Sequence, residues 1–169
     1  QSKYVMALSY EVLKNTAKAN ELYRELIKEN TKKPDVYIKI FAANQAEKQT
    51  DKAINVLKRG VKNLPENAQL KALLGSTYLQ AGQKEEAEKI VQSLLALGEK
   101  KEVFNYVGDI YRDASDIAKA EEYYNKSLAL DAAQTDAYFG LASTYFNKAV
   151  DVLKEADKVP LDDMTGAYD

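Results

Sequence analysis

Asp109 and Asp113 stand one helical turn apart, with Arg112 beside them. Two carboxylates at that spacing could carry out acid–base work or hold a metal ion. With a guanidinium alongside, the plainer expectation is a solvated helix edge with local ion pairing. Glu121 with Glu122 and Asp162 with Asp163 are adjacent charges that point in different directions and cannot converge on one ligand atom. The chain has no Cys, His or Trp, which excludes disulfides, Cys/His zinc sites, thiol nucleophiles and Ser–His or Cys–His catalytic pairs. It also has no glycine-rich phosphate loop and no calcium loop with regular acidic spacing. No cofactor is implied, and an enzyme is not expected.

The 169 residues are enough for one ordinary domain with a core, and 46% of them are apolar. No apolar run approaches the roughly 18 residues a membrane helix needs, so membrane insertion is not expected. Absence of cysteine is compatible with reducing and oxidising compartments alike. The formal net charge of −2 hides an asymmetry. Residues 1–85 carry 15 basic and 9 acidic side chains, whereas residues 86–169 carry 9 basic and 17 acidic. Such a gradient could orient a partner or favour weak head-to-tail self-association.

The elements that position these side chains follow from an internal repeat. Ala19, Ala53, Ala87 and Ala120 recur at spacings of 34, 34 and 33. Met6, Ile40, Leu74, Val107 and Leu141 keep the same phase, as do Ala7, Phe41, Gly75, Gly108 and Ala142. A further column holds Tyr10, Asn44, Tyr78, Tyr111 and Tyr145. Each period reads as two amphipathic helices. Leu70, Leu73, Leu74 and Tyr78 recur at helical spacing until Gly82 breaks the pattern; Ala87, Ile90, Val91, Leu94 and Leu95 form the next run, with Gly98 as a C-cap. Pro34 suits a first helical turn, Thr50 and Ser115 are candidate N-caps, and Pro65 stops a helix. No segment shows useful strand-like alternation, so the fold is expected to be all-α.

These columns resemble the tetratricopeptide repeat family. The match is best in 101–134, at Phe104, Val107, Gly108, Tyr111, Ala120, Tyr124 and Ser127, and extends to Leu74, Gly75, Tyr78 and Ala87 in 68–100. The resemblance implies a right-handed α-solenoid of stacked helix-turn-helix units at 1–33, 34–67, 68–100 and 101–134, with a partial unit at 135–169. One long helix from about Asp136 to about Lys158 is expected there, ended by Pro160 and followed by a short polar tail from Leu161. Because repeat stacks need a polar terminal cap, either that helix closes the stack or the chain continues past Asp169.

The resemblance also implies a role: a non-catalytic scaffold whose first helices line a concave groove for a protein or peptide. Carried over column by column, the groove positions are Tyr4, Leu8 and Glu11; Ile38, Ala42 and Gln45; Ala72, Ser76 and Leu79; Asn105, Asp109 and Arg112; and Phe139, Ser143 and Phe146. The Lys and Asn pair with which some family members clamp a carboxylate does not occur at the matching columns. Leu8, Ala42 and Leu79 would serve equally well as packing between repeats. The rival role is a structural spacer or self-association segment of a larger protein. Nucleic acid is not an expected partner. Tyr10, Tyr78, Tyr111 and Tyr145 recur on the packed face, where core is the simpler reading, and a pI near 5.4 supplies no basic stripe. One departure suggests a packing detail: Gly60, where the family prefers Ala, would make room for the ring of Phe41.

Overall fold

The structure, a computed structural model, describes residues 2–158. Among them are nine helices and no strand. The chain divides into two compact units, Gln1–Glu99 and Lys100–Asp169. The first contains α1 (Lys3–Val12), α2 (Thr16–Lys28), α3 (Pro34–Ala46), α4 (Thr50–Asn63), α5 (Ala68–Gln80) and α6 (Lys84–Leu95). Each of these packs against the next. The second contains α7 (Lys101–Asp113), α8 (Ile117–Leu130) and α9 (Thr135–Ala156), each touching the other two. The expected long final helix is α9, a single element of 22 residues. Pro160 and the polar tail lie outside the described residues.

The turn inside each helix pair is the same hydrogen-bonded device, repeated. Lys14, Lys48, Gly82 and Ser115 follow the C-caps of α1, α3, α5 and α7, and all have φ between 55 and 74°. The next residue in each turn donates its N–H back into the helix: Asn15 to Tyr10 O, Gln49 to Asn44 O and Gln83 to Tyr78 O at 2.8 Å, and Asp116 to Tyr111 O at 2.9 Å. The left-handed residue itself donates to Glu11, Gln45, Leu79 and Arg112 carbonyls. This double bond pattern closes the last helical turn and reverses the chain within three residues. Gly82 is the one glycine of the four, and it does break α5 as its position in the sequence suggests.

The capping residues differ in part from expectation. Pro34 opens α3 in its first turn. Thr50 is already inside α4, and Gln49 before it makes no side-chain cap. At α8 the cap is Asp116, whose carboxylate accepts from Lys119 N at 3.2 Å; Ser115 is held in the left-handed turn and cannot reach. Gly98 lies two residues beyond the C-cap Ala96 of α6, at φ +101°.

The alanine column is core throughout: Ala19, Ala53, Ala87 and Ala120 are all buried. In the first unit Tyr23, Tyr37, Ile40, Leu57, Leu70 and Leu74 fill the interior. Gly60 gives room to a tyrosine rather than to Phe41. A Cβ built at Gly60 would meet Tyr37 Cγ at 3.0 Å and Leu70 Cδ1 at 3.2 Å. Phe41 instead packs at the margin of the same core, half-buried. The glycine does make room for a ring, but Tyr37, one turn earlier on α3, is the one that lies over the gap. In the second unit Val103, Val107, Ile110 and Tyr124 are buried, and Ser127 Oγ donates to Lys101 O at 2.9 Å. The tyrosine column ends differently from the rest: Tyr145 is 46% exposed. Beyond it α9 runs straight on, so no second helix folds back within that element to cover the ring.

Candidate functional site

Five residues of α7 recur at helical spacing on one face: Glu102, Asn105, Tyr106, Asp109 and Arg112. Together with Asp136 and Phe139 from the first turns of α9, they line a cavity of about 370 Å³. The repeat columns place Asn105, Asp109, Arg112 and Phe139 among the groove positions, and these four do come together. Glu102, Tyr106 and Asp136 were not anticipated. Spacing from Asn105 along α7 would have found the first two, whereas Asp136 required knowing how α9 lies against α7.

One side of the cavity is a closed hydrogen-bond network. Arg112 Nη1 donates to Asp109 Oδ1 at 2.7 Å and Arg112 Nη2 to Asp113 Oδ1 at 3.1 Å. The hydroxyl of Tyr124, on α8, donates to the same Asp109 oxygen at 2.8 Å and accepts from Arg112 Nη1 at 3.2 Å. Burial pushes the Asp109 carboxyl above its usual range, against the opposing pull of Tyr124 and Arg112. The pair Asp109 and Asp113 is thus turned onto a guanidinium. Among the described residues no group of three or more Asp, Glu, His or Cys side chains is placed to hold a metal ion.

The other side is incompletely bonded. Asn105 is only 8% exposed, and its Oδ1 has no hydrogen-bond partner. Nearby, the Tyr106 hydroxyl is pushed above its ordinary value by burial and then by the negative charges of Asp109, Asp136 and Glu102. Phe139 is 73% exposed.

The remaining groove positions fall into two groups. On α9, Ser143 is half-buried and Phe146 is 68% exposed, and neither lines the cavity. In the first unit the Tyr4 hydroxyl donates to Asp35 Oδ2 at 2.5 Å, and Lys33 Nζ stands 4.3 Å from its ring centre. Glu11 receives Lys39 Nζ at 2.7 Å. Ile38 and Leu79 pack against the core of that unit, Ala72 is buried, and Leu8, Gln45 and Ser76 are half-buried. Ala42 is exposed. A basic recess of the first unit, lined by Asn30, Lys58, Arg59, Lys62 and Asn63, has its best donor already committed: Arg59 bonds to Lys28 O and Asn30 Oδ1.

No helix among the described residues is long and apolar enough to cross a membrane. Among curated protein sequences none matches this chain. Among solved structures, TTC0263, described as a thermophilic TPR protein in Thermus thermophilus, aligns over 85% of this chain and 80% of its own at 21% identity, with a TM-score of 0.62. A MamA protein aligns over 91% of this chain and 87% of its own at 20% identity, with a TM-score of 0.58. At such identities the likeness concerns the fold. A sequence profile described as tetratricopeptide repeat matches residues 13–74 and 45–105, and a second of the same description matches 103–134. With its all-α helical-repeat fold, the chain belongs to the tetratricopeptide repeat family, whose members generally mediate protein–protein interaction.

Proposed function

We propose that the chain is a non-catalytic scaffold that binds a protein or peptide segment on the surface that α7 and α9 form in its second unit. Four helix pairs, at 1–33, 34–67, 68–100 and 101–134, and the partial unit 135–169 act as its repeating elements. The carrying observation is the α7–α9 cavity, where a buried polar group without a partner adjoins exposed Phe139, with Ser143 and Phe146 further along α9. A binding surface of this kind combines apolar anchors with a few fixed polar groups. The bonded state of Asp109, Arg112 and Tyr124 argues for a rigid wall rather than a catalytic pair, since these groups already satisfy one another.

Selection of random displayed peptides on the whole chain tests this reading. Enriched peptides should lose affinity for a Phe139→Ser, Phe146→Ser variant by at least tenfold. Failure to enrich any peptide, or equal binding to that variant, would contradict it.

A second reading is self-association or stacking through α9, favoured by its exposed Tyr138, Phe139, Tyr145, Phe146, Val152 and Leu153. Light scattering decides between electrostatic and apolar association: the former weakens as salt rises, the latter does not. A monomer at all salt concentrations would remove this reading.

A further inference from the structure

We propose that α9 pairs with α9 of a second copy of this chain, antiparallel and with Phe146 of each helix set against Ala149 of the other. This rests on the self-association reading above and gives it a partner, an orientation and a register.

The first support is the part of α9 left bare. Its buried residues, Ala137, Gly140 and Thr144, all lie in the first half, where Gly140 meets the Tyr124 ring of α8. From Tyr145 to Ala156, Val150 alone is half-buried and every other residue is exposed. Isolated helices shorter than about 12–15 residues are marginal in water, so a bare stretch of this length needs a packing partner.

The second support is a seam. Phe139, Ala142, Phe146, Ala149, Leu153 and Ala156 follow one another at alternating spacings of three and four, the a and d positions of a coiled coil. All six are exposed, the three large ones by 65–73%. The charged residues of the same stretch, Lys148, Asp151, Lys154 and Glu155, fall at b, c and f, away from the seam. The buried Ala137, Gly140 and Thr144 also fall at b and f, so α9 packs on α7 and α8 through its other side.

The third support is the alternation of size, which selects the occupant. Every large residue of the seam sits at a, and every alanine at d. In antiparallel pairing an a residue shares its layer with a d residue of the other helix. One register then sets Phe139 against Ala156, Phe146 against Ala149 and Leu153 against Ala142, so each layer holds one large and one small side chain. Parallel pairing would put large against large and alanine against alanine, crowding some layers and leaving voids in others. Each helix thus supplies what the other lacks, the self-complementarity of a two-fold interface. The antiparallel arrangement also sets the two packed first halves at opposite ends of the helix pair, where they do not collide.

The test uses the whole chain, which has no cysteine of its own. Sedimentation from micromolar to millimolar concentration should show a monomer–dimer equilibrium that does not weaken as salt rises. Ala149→Phe adds apolar surface at an exposed position, so an unspecific apolar face would associate more tightly. In the proposed layer it overfills, and the dissociation constant should rise at least tenfold. Adding Phe146→Ala exchanges large and small within that layer and should restore most of the affinity. Spin labels on Lys148→Cys and, separately, on Glu155→Cys read the orientation. The proposed register offsets the two labels of a dimer along the axis by about 1.5 Å for the first and about 22 Å for the second. Parallel pairing would give equal distances. A monomer throughout would overturn the inference together with the self-association reading. Tighter association of Ala149→Phe, no recovery in the double variant, or equal label distances would overturn the inference alone and leave association through α9 standing. The display selection judges peptide binding separately.

Discussion

The ring of Tyr124 occupies the space that a side chain at Gly108 would need: Cε1 lies 2.7 Å from the position of an added Cβ. Gly140 of α9 approaches the same ring more closely still. One buried tyrosine from α8 is thus clasped by glycines of α7 and α9, while its hydroxyl is tied to Asp109 and Arg112. The wall of the cavity is set by this clasp, since Asp109 and Arg112 are held by the residue that joins the three helices.

Gly108→Ala measures how tightly the clasp is drawn. Alanine is the better helix former by about 1 kcal/mol, but overpacking a fixed core costs typically ~1–3 kcal/mol. The Tyr124 ring is fully buried and bonded at its far end, so it has little freedom to withdraw. The expected net loss is about 1 kcal/mol by urea denaturation, with an unchanged m-value. A gain in stability would show that the ring yields.

Two buried tyrosines should respond oppositely to loss of the hydroxyl. Tyr124→Phe removes the bonds to Asp109 and Arg112 and leaves the half-buried Asp109 carboxylate with Arg112 as its remaining donor, for a loss of about 1–2 kcal/mol. The Tyr23 hydroxyl is buried and makes no hydrogen bond of good geometry, although the Glu11 carboxylate stands beside it. Tyr23→Phe should therefore be neutral or stabilising by up to about 1 kcal/mol. Denaturation midpoints in the reverse order would contradict these bonding assignments.

The repeated turn offers a backbone test. Lys48 holds φ +56° with a side chain that this conformation disfavours by about 1–2 kcal/mol, whereas Gly82 holds the equivalent place without strain. Part of that penalty is offset because glycine loosens the unfolded chain, so Lys48→Gly should stabilise by roughly 0.5–1 kcal/mol. Gly82→Ala should destabilise by about 1 kcal/mol although nothing lies within 4 Å of the new Cβ, so packing cannot account for the change. Equal midpoints for both variants and the parent would argue against left-handed strain at these turns.

Stability should have a maximum in mildly alkaline solution. Burial raises the Tyr23 and Tyr124 hydroxyls well above their ordinary value of 10.0. In the unfolded chain they ionise near pH 10 and in the fold they do not, so above pH 10 the folded state holds more protons and stability falls, by about 1.4 kcal/mol per pH unit for each. Lys71 acts in the other direction. Burial lowers its pKa, with Nζ bonded to Ser93 O at 2.8 Å. The unfolded state then binds the proton more tightly, so stability rises with pH between the folded pKa of Lys71 and 10.5. Replacing Lys71 with Met should flatten the rising limb, and replacing both tyrosines with Phe should flatten the falling one. Chemical denaturation across pH 7–11 reads both.

How far these features were legible in the sequence varies with their physical origin. The alanine column and the paired helices were readable because burial repeats with the chain period. Repeat register names Phe41 as the column facing Gly60, but not the ring of Tyr37 that a one-turn offset brings over the gap. Thr50 and Ser115 looked like caps by residue type, but the left-handed turn fixes where the next helix starts and gives that place to Gln49 and Asp116. Tyr145 shares its column with buried tyrosines yet stays exposed, because α9 does not fold back. The four cavity residues found from the columns share helical faces; the unpaired state of Asn105 depends on what surrounds it in space, which no spacing reveals.

The most direct test of the binding role is Asn105→Leu, read by two numbers on the same protein. If the α7 face serves a ligand, removing an unpaired buried oxygen should leave the fold as stable or more so, by up to about 1–2 kcal/mol, while affinity for the display-selected peptides falls at least tenfold. Loss of stability with affinity unchanged would contradict it, making Asn105 a structural residue and the cavity a gap in packing.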